Sequence, residues 1–437
     1  MSIFRAYDIR GVYKQELTES VMLDIGKALG TFLGGNKNVA VGYDTRISSK
    51  RLFDSFAKGL TSTGCNVINL GMVPNPMVYF YAWKNKTFGV MITASHNPKD
   101  WNGLKIVRPS GISFINEIKE LKKLYKFKKF ISGSGKLTKG NVMEKYRVFL
   151  KRKIGPVKKK VVVECFGTVG VKALPMLKDI GLDIVSLHDK PDGKFFGFER
   201  PEPKGKNLEM LKKAVKKNQA DFGFAFDGDA DRAVFVDDRG RELDGSTMSV
   251  IFINHILKKR RGKIILTYDC ASEIENIVEN LGGRMVWSRV GHGYIERRAV
   301  YERALFAGEQ SSHFYFNEFY PFSDGILSAM YLAKILSENK ERLSKMVDRT
   351  KLNPIEKIYI NVSSDENKNK IVKTLKKKSP NAEAMMDGIK IKLGSGEWVI
   401  IRASQTNPEI NLIVEAKTKT RLRELIDKYS KIIRKEI

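Results

Sequence analysis

The sequence predicts an α/β protein, with three related α/β domains on mixed sheets followed by a smaller α+β domain. Two observations carry that expectation. Short apolar runs alternate with amphipathic stretches, the pattern of strands packed against helices. One plan, an apolar strand, a short polar turn and a helical stretch, also returns at intervals of about a hundred residues, far longer than a solenoid period. It occurs at 39–42 running into Asp44-Thr45, at 161–164 running into Cys165-Phe166-Gly167-Thr168, and at 264–267 running into Tyr268-Asp269-Cys270.

The elements follow in order. After the strand at 39–42, Leu52, Phe56 and Leu60 fall on one face of a helix. A strand at 88–93 ends in Ala94-Ser95-His96-Asn97-Pro98. Apolar runs at 222–226 and 233–236 flank an acidic loop, and another at 304–307 precedes Gly308-Glu309-Gln310. The last stretch differs. Strands are expected at 357–362, 389–393, 398–401 and 411–414. One helix follows Ser364, and another starts near Thr420 with Leu422, Leu425, Ile426 and Tyr429 at helical spacing. The expected domains are 1–140, 141–238, 239–350 and 351–437.

The chain has 437 residues, 42% hydrophobic and 29% charged, which excludes a disordered or collagen-like protein. No apolar run reaches the ~18 residues that would span a bilayer. The N-terminal MSIFRAYDIRG places charges where a signal peptide needs its apolar segment. Cys65, Cys165 and Cys270 lie far apart with no CxxC, so neither a disulfide framework nor a zinc site is expected, and a reducing cytoplasm fits. The excess of 78 Lys+Arg over 49 Asp+Glu gives a net charge of +29. Many of these lysines alternate with Ile118, Leu121 and Leu124, or with Leu211, Ala214 and Val215. That is the pattern of solvated helix faces, and no nucleic-acid-binding signature accompanies it. A basic protein also attracts small anions.

Four loops could carry chemistry. In Thr93-Ala94-Ser95-His96-Asn97-Pro98 a serine sits at a strand end, and Pro98 keeps Asn97 out of helical geometry. Ser95 could be a nucleophile, or Ser and Asn could be satisfying turn backbone groups. In Asp227-Gly228-Asp229-Ala230-Asp231-Arg232, carboxylates at every second position could converge on a hard cation, or the segment could be a solvated acidic hairpin. An EF-hand is excluded because Arg232 stands where glycine is required. Gly308-Glu309-Gln310-Ser311-Ser312-His313 offers hydrogen-bonding groups for hydroxyls, or is a polar turn. Arg402-Ala403-Ser404-Gln405-Thr406-Asn407-Pro408 could cradle a phosphate, or is a surface turn.

Taken together, one loop to each expected domain, these motifs resemble the α-D-phosphohexomutase family, in its phosphomannomutase/phosphoglucomutase branch. The resemblance covers essentially the whole chain. It includes Phe4-Arg5-Ala6-Tyr7-Asp8-Ile9-Arg10-Gly11, Val41-Gly42-Tyr43-Asp44-Thr45-Arg46, Val290-Gly291-His292 and Phe322-Ser323-Asp324-Gly325-Ile326. It implies four domains around a central active-site cleft. The implied enzyme interconverts hexose 1-phosphates and 6-phosphates through a phosphoserine and a hexose 1,6-bisphosphate, which also serves as activator. Ser95 would carry the phosphoryl group, and Mg²⁺ would sit on Ser95, Asp227, Asp229 and Asp231. Arg10, His96, Lys105 and Arg232 are the implied catalytic group. Tyr7, His292, Glu309, Ser311, Arg402, Ser404, Gln405 and Thr406 are implied to bind substrate, and the C-terminal domain to close over it.

The expected partner is a small phosphosugar, with no nucleic acid and no membrane, bound by a monomer or small homo-oligomer. Two departures bear on the sugar. Gln310 is similar to the phosphoglucosamine mutase branch. Asp269 stands where bifunctional members tend to have Lys, a contact that Arg289 could supply. The alternatives are phosphoglucosamine mutase, a Mg²⁺-dependent phosphatase that uses an aspartate nucleophile with Asp227 and Asp229 as a D-x-D pair, and a basic binding protein without catalysis.

Overall fold

The computed structural model describes residues 3–385, 388–394, 396–404 and 408–437. It divides into two compact units, one of Met1–Thr267 with Leu281–Thr350 and the other of Tyr268–Asn280 with Lys351–Ile437.

The first unit holds three sheets. One comprises β1 (Ile9–Val12), β2 (Asn38–Tyr43), β3 (Asn66–Met72), β4 (Phe88–Ile92), β5 (Trp101–Val107) and β6 (Leu137–Lys139), in the order β1-β5-β4-β2-β3-β6. The next comprises β7 (Lys160–Glu164), β8 (Asp183–Leu187), β9 (Phe222–Phe226), β10 (Ala233–Asp237) and β11 (Glu242–Leu243), in the order β11-β10-β9-β7-β8. The third comprises β12 (Lys263–Thr267), β13 (Arg284–Ser288), β14 (Phe306–Gly308) and β15 (Phe314–Phe316), in the order β13-β12-β14-β15.

One topology recurs in all three. β2, β7 and β12 each lie between two parallel neighbours. The outer of these, β4, β9 or β14, then turns back into an antiparallel partner, β5, β10 or β15. These central strands are the ones whose spacing the sequence repeats. Crossover helices cover both faces of such sheets, so their strands read as unbroken apolar runs. Every residue of Phe222–Phe226 is buried. Phe222, Phe224 and Phe226 are fully inaccessible, and burial of each ring contributes about 1.5–3 kcal/mol. This core anchors the strand that presents the acidic loop.

The second unit carries an antiparallel sheet of β16 (Ile355–Asn361), β17 (Glu383–Ala384), β18 (Gly388–Gly394), β19 (Glu397–Ala403) and β20 (Glu409–Glu415), in the order β16-β20-β19-β18-β17. The helices Asp365–Lys378 and Lys419–Arg434 begin at side-chain caps, Ser364 and Thr418. They pack Ile371, Leu375, Leu422, Leu425 and Tyr429 against Ile389, Val399, Ile401 and Leu412. The opposite face sets Trp398, Ile400 and Ile413 against Tyr268. The segment Tyr268–Asn280, which the sequence reading groups with 239–350, thus clusters with the C-terminal residues. The three cysteines are buried and form no disulfide among the described residues. No helix among the described residues is long and apolar enough to cross a membrane.

Candidate active site

Three of the four polar loops singled out in the sequence occupy the same place in their sheets, the hairpin after the last parallel strand, while the fourth follows β19 in the antiparallel sheet. In the first unit these are the turns β4–β5, β9–β10 and β14–β15. Each contains a non-glycine residue in left-handed backbone geometry: Ser95 (φ 52), Ala230 (φ 60) and Ser312 (φ 66). Such residues are uncommon and mark tightly determined turns. The acidic segment is a hairpin, but not a solvated one: Asp227 and Asp229 are fully buried and Asp231 is 2% exposed.

The turns meet. Ser95 Oγ donates to Asp227 Oδ2 at 2.6 Å across 132 residues of sequence, and lies 3.3 Å from His96 Nδ1. The backbones also touch, since a Cβ at Gly228 would fall 2.0 Å from the Ser95 carbonyl oxygen, so only glycine fits there. Arg232 Nη2 pairs with Asp227 Oδ2 at 3.0 Å. Lys105, on β5, places its ammonium 2.6 Å from Asp229 and 2.5 Å from Asp231. His313, which ends the third loop, lies 3.3 Å from Asp231 and 3.5 Å from Glu309. Ser311 Oγ lies 3.0 Å from His313 Nδ1.

Glu309 is oriented by the Tyr315 hydroxyl, which donates at 2.7 Å, and by the Gly291 amide at 3.2 Å. Gly291 itself has φ 122, and a Cβ there would lie 3.0 Å from the Tyr7 ring. Tyr7 stands edge-on to His292 with centroids 4.4 Å apart. His292 Nε2 is buried without a hydrogen-bond partner. Arg10 pairs with Asp8 at 2.7 Å and donates to Asn97 Oδ1 at 3.2 Å, beside Ser95.

The charges settle the protonation pattern. Burial, then the cations Arg232, Arg10 and Lys105, hold His96 well below the usual imidazole range, so its ring is neutral. His292 is neutral for similar reasons, burial first and then Lys105. Burial opposes the Lys105 charge, but Asp229, Asp231 and Asp227 outweigh it and hold the proton on the amine. Burial and the Asp231 charge push Asp229 up, while Lys105 and His313 overcome burial to keep Asp231 ionised.

Carboxylate oxygens of Asp227, Asp229 and Asp231 lie within 4.8 Å of one another, and Asp229 Oδ1 has no hydrogen-bond partner. Three buried oxygen donors, one of them unsatisfied, fit a hard divalent cation.

Arg402 and Ser404 belong to the second unit. Both are buried, Ser404 opens the β19–β20 hairpin, and its carbonyl accepts from Lys368 at 2.6 Å. Gln405 and Thr406 lie outside the described residues. Asp269 is buried in the same unit, while Arg289, in the first, stacks on Tyr294 at 4.0 Å. Gln310 is held by the residues that begin the helix Gly245–Lys259. Its Oε1 accepts from Ser246 N at 3.0 Å and Ser246 Oγ at 2.5 Å.

The sequence reading gave no role to Arg46, Asn75, Glu296 or His313. His313 stood within the quoted third loop and could have been named. Asn75, whose Nδ2 donates to Asp231 at 3.1 Å, had no local signal.

Comparison with known proteins agrees with this architecture. Three domain families match, described as phosphoglucomutase/phosphomannomutase alpha/beta/alpha domains I, II and III, over residues 1–131, 142–240 and 244–352. A phosphomannomutase/phosphoglucomutase of Pseudomonas syringae is 35% identical, over 97% of this chain and 93% of that protein. A protein of Methanosphaera stadtmanae named "Probable phosphoglucosamine mutase" is 33% identical, over 97% of this chain and 96% of its own. A crystal structure of a phosphoglucomutase/phosphomannomutase family protein from Burkholderia thailandensis superposes with a TM-score of 0.87 at 28% identity, covering 99% of this chain and 97% of that one. The chain belongs to the phosphoglucomutase/phosphomannomutase family.

Proposed function

We propose that the protein is a phosphohexomutase that interconverts the 1- and 6-phosphates of mannose or glucose through phospho-Ser95 and a hexose 1,6-bisphosphate. The observation that carries this reading is Ser95 Oγ at 2.6 Å from Asp227, inside a buried cluster that Arg232 and Lys105 neutralise.

Phosphoryl transfer requires positioning and charge neutralisation more than covalent assistance. The bond from phosphorus to Ser95 Oγ breaks as one forms to the free sugar hydroxyl, and the hydroxyl proton leaves. Neutral His96 is placed to accept that proton, and Lys105 to return one in the reverse step. Arg232 and Arg10 hold the transferring phosphoryl oxygens. Glu309 and Ser311 bind sugar hydroxyls, and Tyr7 and His292 line the sugar, His292 offering its unpartnered Nε2. Arg402, Ser404, Gln405 and Thr406 are assigned the phosphate that is not reacting. Asp227, Asp229, Asp231 and the Ser95 oxygen would hold Mg²⁺, which when bound supplies further charge neutralisation and polarises a phosphoryl oxygen.

Gln310 gives the glucosamine branch no support, because its amide is committed to Ser246 and Asp244. We keep the four-domain division at 140, 238 and 350 as our own reading, and assign the protein to a reducing cytoplasm on its three widely spaced, buried cysteines.

The test is Ser95→Ala assayed with mannose 1-phosphate and glucose 1-phosphate. Loss of net isomerisation is expected, and turnover near wild type would overturn the phosphoserine assignment.

A further inference from the structure

We propose that Arg46 is a positioning residue for phosphoryl transfer, one that holds the Ser95 loop in its reactive geometry and is itself braced by Phe195. This rests on the mutase reading above.

Arg46 is 2% exposed, and every N–H of its guanidinium is used. Nη2 donates to the carbonyls of Ser95 (2.7 Å) and Asn97 (2.8 Å). Nη1 donates to the carbonyl of Trp101 at 3.1 Å and to that of Pro98. Nε pairs with Asp44 Oδ2 at 3.1 Å. One planar fork thus gathers the carbonyls of residues 95, 97, 98 and 101.

Asp44 extends the clamp. It accepts from Ser49 Oγ at 2.5 Å and from Thr93 Oγ1 at 2.8 Å. Thr93 Oγ1 in turn accepts from the Ser95 amide at 2.8 Å. Both backbone groups of Ser95 are therefore tied to the same buried pair. Left-handed geometry in a non-glycine residue is strained and persists only where surroundings enforce it.

The chemistry gives the clamp its purpose. A phosphoryl group on Ser95 brings about two negative charges. Carbonyl oxygens turned toward it would repel it, and Arg46 turns four of them toward itself. The Ser95 carbonyl is also the atom against which Gly228 rests, so fixing it fixes the separation of Ser95 Oγ from Asp227. Phe195 enters from the region of the second sheet. Its ring, 1% exposed, lies 5.1 Å from the Arg46 guanidinium. Thus the segment that buttresses Arg46 precedes the acidic loop in the same region of the chain.

Arg46→Lys keeps the charge and loses the fork. Phe195→Leu keeps apolar volume and loses the aromatic face, with less risk to folding. We would measure kcat and KM, and follow phosphoserine loss to water by phosphorus NMR. For Arg46→Lys, kcat should fall about 100-fold at unchanged KM, with faster phosphoserine hydrolysis. For Phe195→Leu, kcat should fall about 3-fold at unchanged KM. Wild-type kcat in both variants would overturn the role. So would a raised KM at unchanged kcat, or an Arg46→Lys loss matching the unfolded fraction while Phe195→Leu stays fully active. A wild-type enzyme that neither takes up phosphoryl from a hexose bisphosphate nor isomerises would sink the mutase reading itself and this role with it.

Discussion

Replacing Lys105 with Met should make the stability of the first unit depend on divalent cation. The ammonium lies 2.6 Å from Asp229 and 2.5 Å from Asp231, and all three side chains are 3% exposed or less. Met preserves most of the stem but removes the charge. Three carboxylates within 4.8 Å of one another then share one buried space without the ammonium that bridges two of them, leaving Arg232 paired with Asp227 and His313 beside Asp231. Removing one partner of a buried ion pair costs about 3–5 kcal/mol, because the other charge stays buried and uncompensated. In a unit of this size that corresponds to a melting temperature lower by roughly 5 °C or more in chelator. Added Mg²⁺ should recover much of the loss, giving the variant a larger Mg²⁺-induced shift than wild type. Differential scanning fluorimetry of both proteins, in EDTA and in Mg²⁺, measures it. Equal Mg²⁺-induced shifts would refute the claim that Lys105 and a cation neutralise the same carboxylates.

Three further outcomes follow from the same geometry. Burial raises the Glu296 carboxyl to about 8 against the stabilising Ser113 amide. The folded protein therefore holds a proton that the unfolded chain releases, so stability should decline as pH rises from about 4.5 to 8. Glu296→Gln should flatten that decline, and parallel melting-temperature profiles for variant and wild type would contradict it. Gln310→Met removes an acceptor from Ser246 and should cost about 1 kcal/mol of stability while leaving the preference between mannose, glucose and glucosamine phosphates unchanged. A change in that preference on steady-state assay would return Gln310 to the sugar site. Glu309→Gln should lower kcat/KM at least about 100-fold, since a buried group built to read hydroxyls is altered, and an unchanged value would remove Glu309 from substrate recognition.

Much of the fold was legible because its signals are local. Parallel strands buried on both faces leave runs such as Phe222–Phe226, and helices such as Glu209–Lys217 alternate buried Leu211 and Val215 with exposed lysines. The repeat at 39–42, 161–164 and 264–267 marks, in each sheet of the first unit, the strand with two parallel neighbours, so it reflects topology rather than chance. The site was legible only in pieces. Ser95, the three aspartates and Glu309 each sat at a strand end within a distinctive motif. That their turns meet, that Lys105 bridges Asp229 and Asp231, and that Asn75 reaches Asp231 are long-range facts with no local periodicity. Gln310 is a case of the same kind: its residue type is similar to the phosphoglucosamine mutase branch, while its partners, Ser246 and Asp244, lie 64 and 66 residues away in sequence.

The proposed activity rests on phosphoryl transfer through Ser95. The most direct measurement is phosphorus NMR of the purified protein with Mg²⁺ and a trace of glucose 1,6-bisphosphate, followed by peptide mapping of the protein-bound phosphoryl group. A hydroxylamine-stable phosphoserine at Ser95 is expected, with growth of a hexose 6-phosphate signal from the 1-phosphate without inorganic phosphate. A hydroxylamine-labile acyl phosphate at Asp227, accompanied by release of inorganic phosphate, would contradict it.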